Sequence, residues 1–371
     1  MGPKSQCRII IFLTIFAVAG IATFFSRGGY QISKQENLAA VSPVIPRVKQ
    51  MSLDEKIGQM LIVGFEHQYL DDHINKMIKQ YHIGGINLLG RNVKNKNQVK
   101  QLIVDLQRIA AIPLFVATDQ EGAKVIRFNF LDELTPQIAI KDSRQAEQVA
   151  INRAKELREL GVNMNFSPVL DYVSDSKSYL YNRTFDTNPT AIGELGSAMI
   201  RGYKKGGIIP VAKHFPGYGN IFSDPHKNSA RLDIDREELN SNLTPFRKVI
   251  DDNSATAIMT AHILIPKIAT KVATLSSEFL NEILRKRLGF NGVIITDDLE
   301  MISVGKTIEQ SAVDAVEAGA DIIISTYTPE KQIRIFNSLK NSVLNGGITE
   351  ERINESVARI LNLKIAFGFS P

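Results

Sequence analysis

The chain has 371 residues, 44% hydrophobic and 22% charged, which excludes a disordered, collagenous or multi-span membrane protein. The formal charge is +5, but Lys4, Arg8, Arg27 and Lys34 stand in an acid-free N-terminal stretch, leaving 40 basic against 39 acidic residues elsewhere. Bulk charge thus indicates no nucleic-acid partner. The single cysteine, Cys7, excludes an internal disulfide and a cysteine zinc site.

In chain order, Lys4 and Arg8 precede an apolar run over residues 9–25. As a helix it would extend about 25 Å, near the lower limit for a bilayer. Residues 1–26 read as a signal peptide or membrane anchor. Positive charge ahead of the run places the rest of the chain outside the cytoplasm, either periplasmic or anchored and facing outward. Residues 27–47, polar with Pro43 and Pro46, read as a linker. From residue 48 to 371 short apolar runs alternate with helical patterns. The runs are 60–63, 85–89, 114–117, 163–166, 208–212, 257–260, 293–295 and 322–325. The helical patterns are 71–81, 96–110, 144–160, 191–205, 236–251, 276–288, 310–318, 329–345 and 350–365. Eight strand-then-helix units predict an α/β fold, a single (β/α)8 TIM-type barrel preceded by the N-terminal apolar segment.

Such barrels carry their chemistry at the C-terminal ends of the strands. There the sequence places Asp119-Gln120-Glu121, Asp171, Lys213-His214, His262 and Asp297-Asp298. Any one of these could be a helix cap or loop residue; five strand ends together predict one polar mouth. Two chemistries compete for it. A glycosidase needs a carboxylate nucleophile and a separate proton donor, and a Schiff-base lyase needs a strand-end lysine such as Lys213. A metal-dependent hydrolase would want paired histidines on an early strand, whereas His67, His73 and His82 fall in helical or loop stretches and read as solvated surface. After the fifth strand, a Gly- and Pro-rich loop carries Asp224 and His226. In an extended segment these point to one side, so the carboxylate can orient the imidazole for proton transfer. The connection from Tyr218 to Lys227 is expected to move as it admits and covers a ligand.

Here the sequence resembles the single-domain β-N-acetylglucosaminidases of glycoside hydrolase family 3. The resemblance runs from Ser52 to Gly368. It rests on Ser52-Leu53-Asp54-Glu55-Lys56-Ile57-Gly58-Gln59, Ile83-Gly84-Gly85-Ile86-Asn87, Asp119-Gln120-Glu121-Gly122 with Arg127, and Phe166-Ser167-Pro168-Val169-Leu170-Asp171. Asn182-Arg183-Thr184-Phe185, Lys213-His214-Phe215-Pro216-Gly217, Met259-Thr260-Ala261-His262 and Thr296-Asp297-Asp298-Leu299-Glu300-Met301 complete it.

The resemblance implies a retaining, exo-acting hydrolysis of terminal β-linked N-acetylglucosamine, with peptidoglycan or its fragments (muropeptides) as the natural substrate. Asp297 matches the nucleophile, His226 the acid/base and Asp224 its partner. Asp119, Arg127, Arg183, Lys213 and His214 match the residues that hold the sugar. No metal, no other cofactor and no nucleic acid are implied, and a monomer is expected. Three motifs depart from the family pattern, at five positions. Tyr218 and Asn220 replace the usual His and Asp after Pro-Gly, Ala123-Lys124 replaces Gly-Arg, and Pro225 replaces a serine within the dyad. Tyr218, Pro225 and the N-terminal segment raise the alternative of a weakly active or non-catalytic wall-binding barrel, and a histidine acid/base, which tolerates an incoming phosphate, that of a phosphorolytic relative.

Overall fold

The computed structural model describes Gly2 and residues 44–222, 224, 228–301 and 306–370. The expected signal or anchor segment and nearly all of the linker lie outside the described residues, and no described helix is long and apolar enough to cross a membrane. The described body falls within one compact unit, Pro43–Pro371.

Eight parallel strands close into a barrel: β1 (Leu61–Val63), β2 (Gly85–Leu88), β3 (Phe115–Thr118), β4 (Met164–Asn165), β5 (Ile209–Phe215), β6 (Ala257–Thr260), β7 (Val293–Asp298) and β8 (Ile322–Ser325). Each pairs with its sequence neighbours, and β8 closes on β1 through Leu61↔Ile323 and Val63↔Ser325. All eight expected strands are present. Their residues are buried throughout apart from Asp297, as strands covered on both faces should be. Isoleucine and valine dominate them, and each fully buried branched side chain contributes about 1.5–3 kcal/mol over its exposed state.

The outer helices follow from amphipathic periodicity and local caps. They are α1 (Val44–Gln50), α2 (Leu53–Gln59), α3 (Asp72–Lys79), α4 (Lys96–Ile109), α5 (Ser143–Leu160), α6 (Pro189–Lys205), α7 (Arg236–Asp251), α8 (Ile308–Ala318), α9 (Pro329–Leu344) and α10 (Glu350–Ala366). A π-helical run, Glu278–Arg287, covers the gap between β6 and β7. Ser52 and Glu55 form a reciprocal capping box on α2, as Asp235 and Glu238 do on α7. Asn188 caps α6 just ahead of Pro189, whose missing N–H costs nothing in the first turn.

Helix α1 corrects the expected boundary. The linker was read to residue 47, but helix begins at Val44, with Val44 and Val48 buried and the helix packed on α10. Pro46 is tolerated because it lies in the first turn.

Two strands are irregular where chemistry is expected. Between Ala212 and Phe215, β5 holds one residue more than β6 opposite it. Between Ile295 and Asp298, β7 holds one residue more than β8. Both are bulges at the C-terminal end of the barrel.

Candidate active site

The C-terminal ends of β2 to β8 surround a cavity of about 230 Å³. One wall is a cluster of buried charges. Lys213 Nζ sits 2.8 Å from Asp119 Oδ1 and 2.6 Å from Glu121 Oε1. Arg183 forks onto Glu121 at 2.7 and 2.9 Å, and Arg127 reaches Asp119 at 3.4 Å. Gln120, wholly buried, accepts the backbone amides of Arg127 and Phe128 at 2.8 and 3.1 Å. It thereby folds the β3 loop back so that Arg127 meets Asp119. Gly122 lies at φ +95°, and a Cβ there would stand 2.4 Å from the Thr135 carbonyl, so only glycine serves in this loop.

Burial by itself would raise the two carboxyls. The facing charges outweigh it: Lys213 and Arg127 hold Asp119 well below the usual carboxylate range, and Arg183 and Lys213 bring Glu121 down to about 2. Burial likewise opposes the charge on Lys213, and the Asp119 and Glu121 carboxylates overcome it and raise its pKa. Lys213 is therefore a firmly protonated, doubly paired cation. A Schiff-base nucleophile requires the opposite, a lysine whose pKa is lowered.

A second layer fixes this wall. Asp171, fully buried, takes His214 Nδ1 at 2.7 Å, the His214 amide at 3.1 Å and the Tyr218 amide at 2.7 Å. Arg153 on α5 donates to the Glu121 carbonyl at 2.9 Å and to Tyr203 Oη at 3.2 Å. The same hydroxyl accepts Asn165 Nδ2 at 3.0 Å, and Asn165 in turn grips Gln120. Helices α5 and α6 thus hold the loops after β3 and β4 in register.

At the β5 bulge Lys213 and His214, adjacent in sequence, both line the cavity. In a regular strand they would face opposite sides. The same holds for Asp297 and Asp298 at the β7 bulge. Asp297 is half-buried, and one of its oxygens accepts the Asp298 amide at 2.8 Å. Asp298 is raised to about 7, by burial first, against the opposing hydrogen bonds from the Thr326 hydroxyl and the Glu300 amide. Asp298 is therefore only partly ionised at neutral pH.

His262 differs from the expectation. It is fully buried and is not among the cavity-lining residues. Its ring joins Thr274 Oγ1 at 2.8 Å and the Asp298 carbonyl at 3.0 Å, so it braces β6 against β7. Of the early histidines only His67 is exposed; His73 and His82 are half-buried, with His73 bonded to Gln332 at 2.7 Å. Among the described residues no cluster of three or more His, Cys, Asp or Glu could hold a metal.

The departures from the family pattern also have places. Tyr218 is buried beneath His214, ring centroids 5.3 Å apart, and its hydroxyl accepts the His262 amide at 3.2 Å. Burial, then the Asp297 charge, push its pKa well above the ordinary value. Asn220 accepts the Ser174 and Asp175 amides at 2.9 and 3.0 Å, pinning the β5 loop to the β4 loop. Asp224 hydrogen-bonds Tyr179, which lines the cavity. His226 and Pro225 lie outside the described residues, as does Lys227 at the end of the connection expected to move.

Asp119, Arg127, Arg183, Lys213, His214 and Asp297 thus meet at one cavity, with Asp224 beside its Tyr179 edge. Sequence reasoning placed Glu121 and Asp298 at the mouth but gave neither a role. It also passed over Asn87, Tyr179 and Tyr327, which line the cavity and lack the charge that drew attention to the others.

Known proteins resemble this chain over most of its length. The chain is 31% identical over 330 residues to beta-hexosaminidase A of Pseudoalteromonas piscicida, covering 80% of this chain and 55% of that protein. It is 35% identical over 271 residues to the beta-hexosaminidase of Methylobacillus flagellatus, covering 70% and 77%. The solved glycoside hydrolase family 3 beta-N-acetylglucosaminidase from Paenibacillus sp. str. FPU-7 superposes with a TM-score of 0.82 at 36% identity, covering 85% of this chain and 63% of that one. The first and last of these relatives are thus considerably longer than the part this chain matches. The model of the glycosyl hydrolase family 3 N-terminal domain matches residues 52–363. That match runs from the cap of α2 into the last turn of α10 and takes in every barrel strand; on that extent, the chain belongs to glycosyl hydrolase family 3.

Proposed function

We propose that this chain is a retaining exo-β-N-acetylglucosaminidase that removes terminal β-linked N-acetylglucosamine. The observation that carries the reading is the cavity itself. A single sugar-sized space has Asp297 on one side and the Asp119–Lys213–Glu121–Arg183 cluster on another. Ionised acceptors and donors in one wall suit paired hydrogen bonds to vicinal hydroxyls. The neighbouring Asp298, raised to about 7, is only partly ionised near neutrality, so Asp297 attacks the anomeric carbon with less than a second full anion at its side. The relatives named beta-hexosaminidase support the choice of sugar.

In this mechanism Asp297 forms a glycosyl-enzyme while His226, as imidazolium, protonates the leaving oxygen. The neutral imidazole then activates water, and Asp224 orients the ring. Asp119, Arg127, Arg183, Lys213 and His214 hold the sugar. The N-terminal apolar segment supports export or anchoring outside the cytoplasm, where peptidoglycan and its muropeptide fragments are the substrates at hand. The bracing roles of the buried Tyr218 and of Asn220 support an active enzyme over a wall-binding barrel.

The test is a chromogenic aryl N-acetyl-β-glucosaminide assayed beside the matching glucoside. Release from the first and little from the second is expected; cleavage of the glucoside alone overturns the assignment. Turnover independent of added phosphate separates hydrolysis from phosphorolysis.

A further inference from the structure

Asn87 stands at the third position of β2 and lines the cavity at 4% exposure. Its Oδ1 is buried without a partner, and its carboxamide makes no hydrogen bond to any described residue. The other buried asparagines nearby are tied. Asn165 grips Gln120 and Tyr203, and Asn92 grips Phe65, His67 and Leu89. Asn87 is the one polar residue of β2, whose other members, Gly85, Ile86 and Leu88, are buried. Burying an unsatisfied amide is unfavourable.

Register shows where the side chain stands. Asn87 pairs with Ala117 on β3. Asp119 lies two residues beyond Ala117, on the same inward face. Asn87 therefore occupies the layer of the barrel beneath Asp119, deeper than the ion cluster. Rotating the carboxamide half a turn exchanges donor and acceptor, whereas each charged group in the wall can only donate or only accept. A sugar hydroxyl, which does both, is the complementary partner.

We infer that Asn87 is a further glycone-binding residue whose carboxamide hydrogen-bonds one hydroxyl of the bound sugar, completing at binding the bond it lacks in the free enzyme. This deepens the proposed β-N-acetylglucosaminidase reading and rests on it. The inference separates two properties that a packing residue would join. Asn87→Leu and Asn87→Ala remove the unsatisfied amide, so Asn87→Leu keeps or raises the Tm. Both lose roughly three- to tenfold in kcat/KM, the scale of one neutral hydrogen bond.

The experiment measures kcat/KM for the wild type and both variants on an aryl N-acetyl-β-glucosaminide and on its 3-, 4- and 6-deoxy forms. The loss caused by the variants should vanish on one deoxy substrate and persist on the others, because that pair of changes deletes the same contact twice. Unchanged kcat/KM in Asn87→Leu and Asn87→Ala, or an equal loss on all four substrates, overturns the inference. If the wild type cleaves none of them, the parent reading falls, and the comparison passes to calorimetry with free N-acetylglucosamine and its deoxy forms. Weaker binding by Asn87→Leu that is erased on one deoxy sugar supports the role; retained affinity, or no binding by the wild type, overturns it.

Discussion

Lys213 shows how little of a residue's role is written in its type. It is a strand-end lysine, and at that level it suits a lyase as well as a glycosidase. Its two carboxylate neighbours decide the matter by holding it protonated. Lys213→Met would leave Asp119 and Glu121 buried with one cation fewer. We expect the unfolding free energy to fall by about 3–5 kcal/mol, the usual result of breaking a buried pair from one side, as measured by denaturant titration. Asp297→Ala should lower kcat by several orders of magnitude, because it removes the covalent route; near-normal turnover would take Asp297 out of the mechanism. His226→Ala is read through the leaving group. In single-turnover glycosylation the loss should be larger on a poor leaving group than on an activated aryl one, since acid assistance matters most where the departing oxygen is basic. Equal loss on both would assign the acid to another residue. The charged site residues were legible because strand ends in such a barrel converge. His262 was misread because a histidine after a strand carries no sign of whether it turns toward the mouth or, as here, back between β6 and β7.

The elements were readable wherever apolar period and caps agreed, which is why all eight strands and nine helical patterns correspond to observed segments. The bulges in β5 and β7 were not readable, since an extra residue shows itself only against the partner strand. Helix packing was equally silent. Gly202 on α6 lies so close to α5 that a Cβ would stand 2.3 Å from the Glu147 carbonyl and 2.7 Å from Ala150 Cβ. Gly202→Val should therefore push the two helices apart and destabilise the chain by about 1–3 kcal/mol, the range for overpacking. Melting curves would check this. Because α5 and α6 carry Arg153 and Tyr203, the same change should also loosen the loops after β3 and β4 and lower kcat/KM. Full activity with an unchanged Tm would show that the helices adjust without strain.

Over the whole molecule, opposing carboxyl groups set the response to pH. Asp119 and Glu121 are lowered by their cations, so what they contribute is present above the ordinary carboxylate range and is lost in acid. Asp298 behaves in the opposite sense. Its folded pKa is raised from 3.8 to about 7, so its contribution is full in acid and is lost as pH rises between those values. Asp298→Asn keeps a neutral side chain at every pH and can still accept from the Glu300 amide. The stability of the variant relative to the parent should therefore improve as pH rises from about 4 to 7 and level off above that. Urea unfolding across that window would measure it, and parallel curves would show that Asp298 is ionised throughout.

Two kinds of information are at work in this protein. Apolar period, turn residues and residue chemistry are local, so the sequence by itself determined the barrel, its eight strands and the groups that end them. The motif order placed the chain among family 3 hydrolases. Charge state and facing are not local, because they depend on which groups are buried together. The third dimension alone decided that the pKa of Asp298 is raised while those of Asp119 and Glu121 are lowered. It decided that two bulges turn neighbouring residues into one cavity, that His262 and Tyr218 brace the site from behind, and that an uncharged Asn87 lines that cavity.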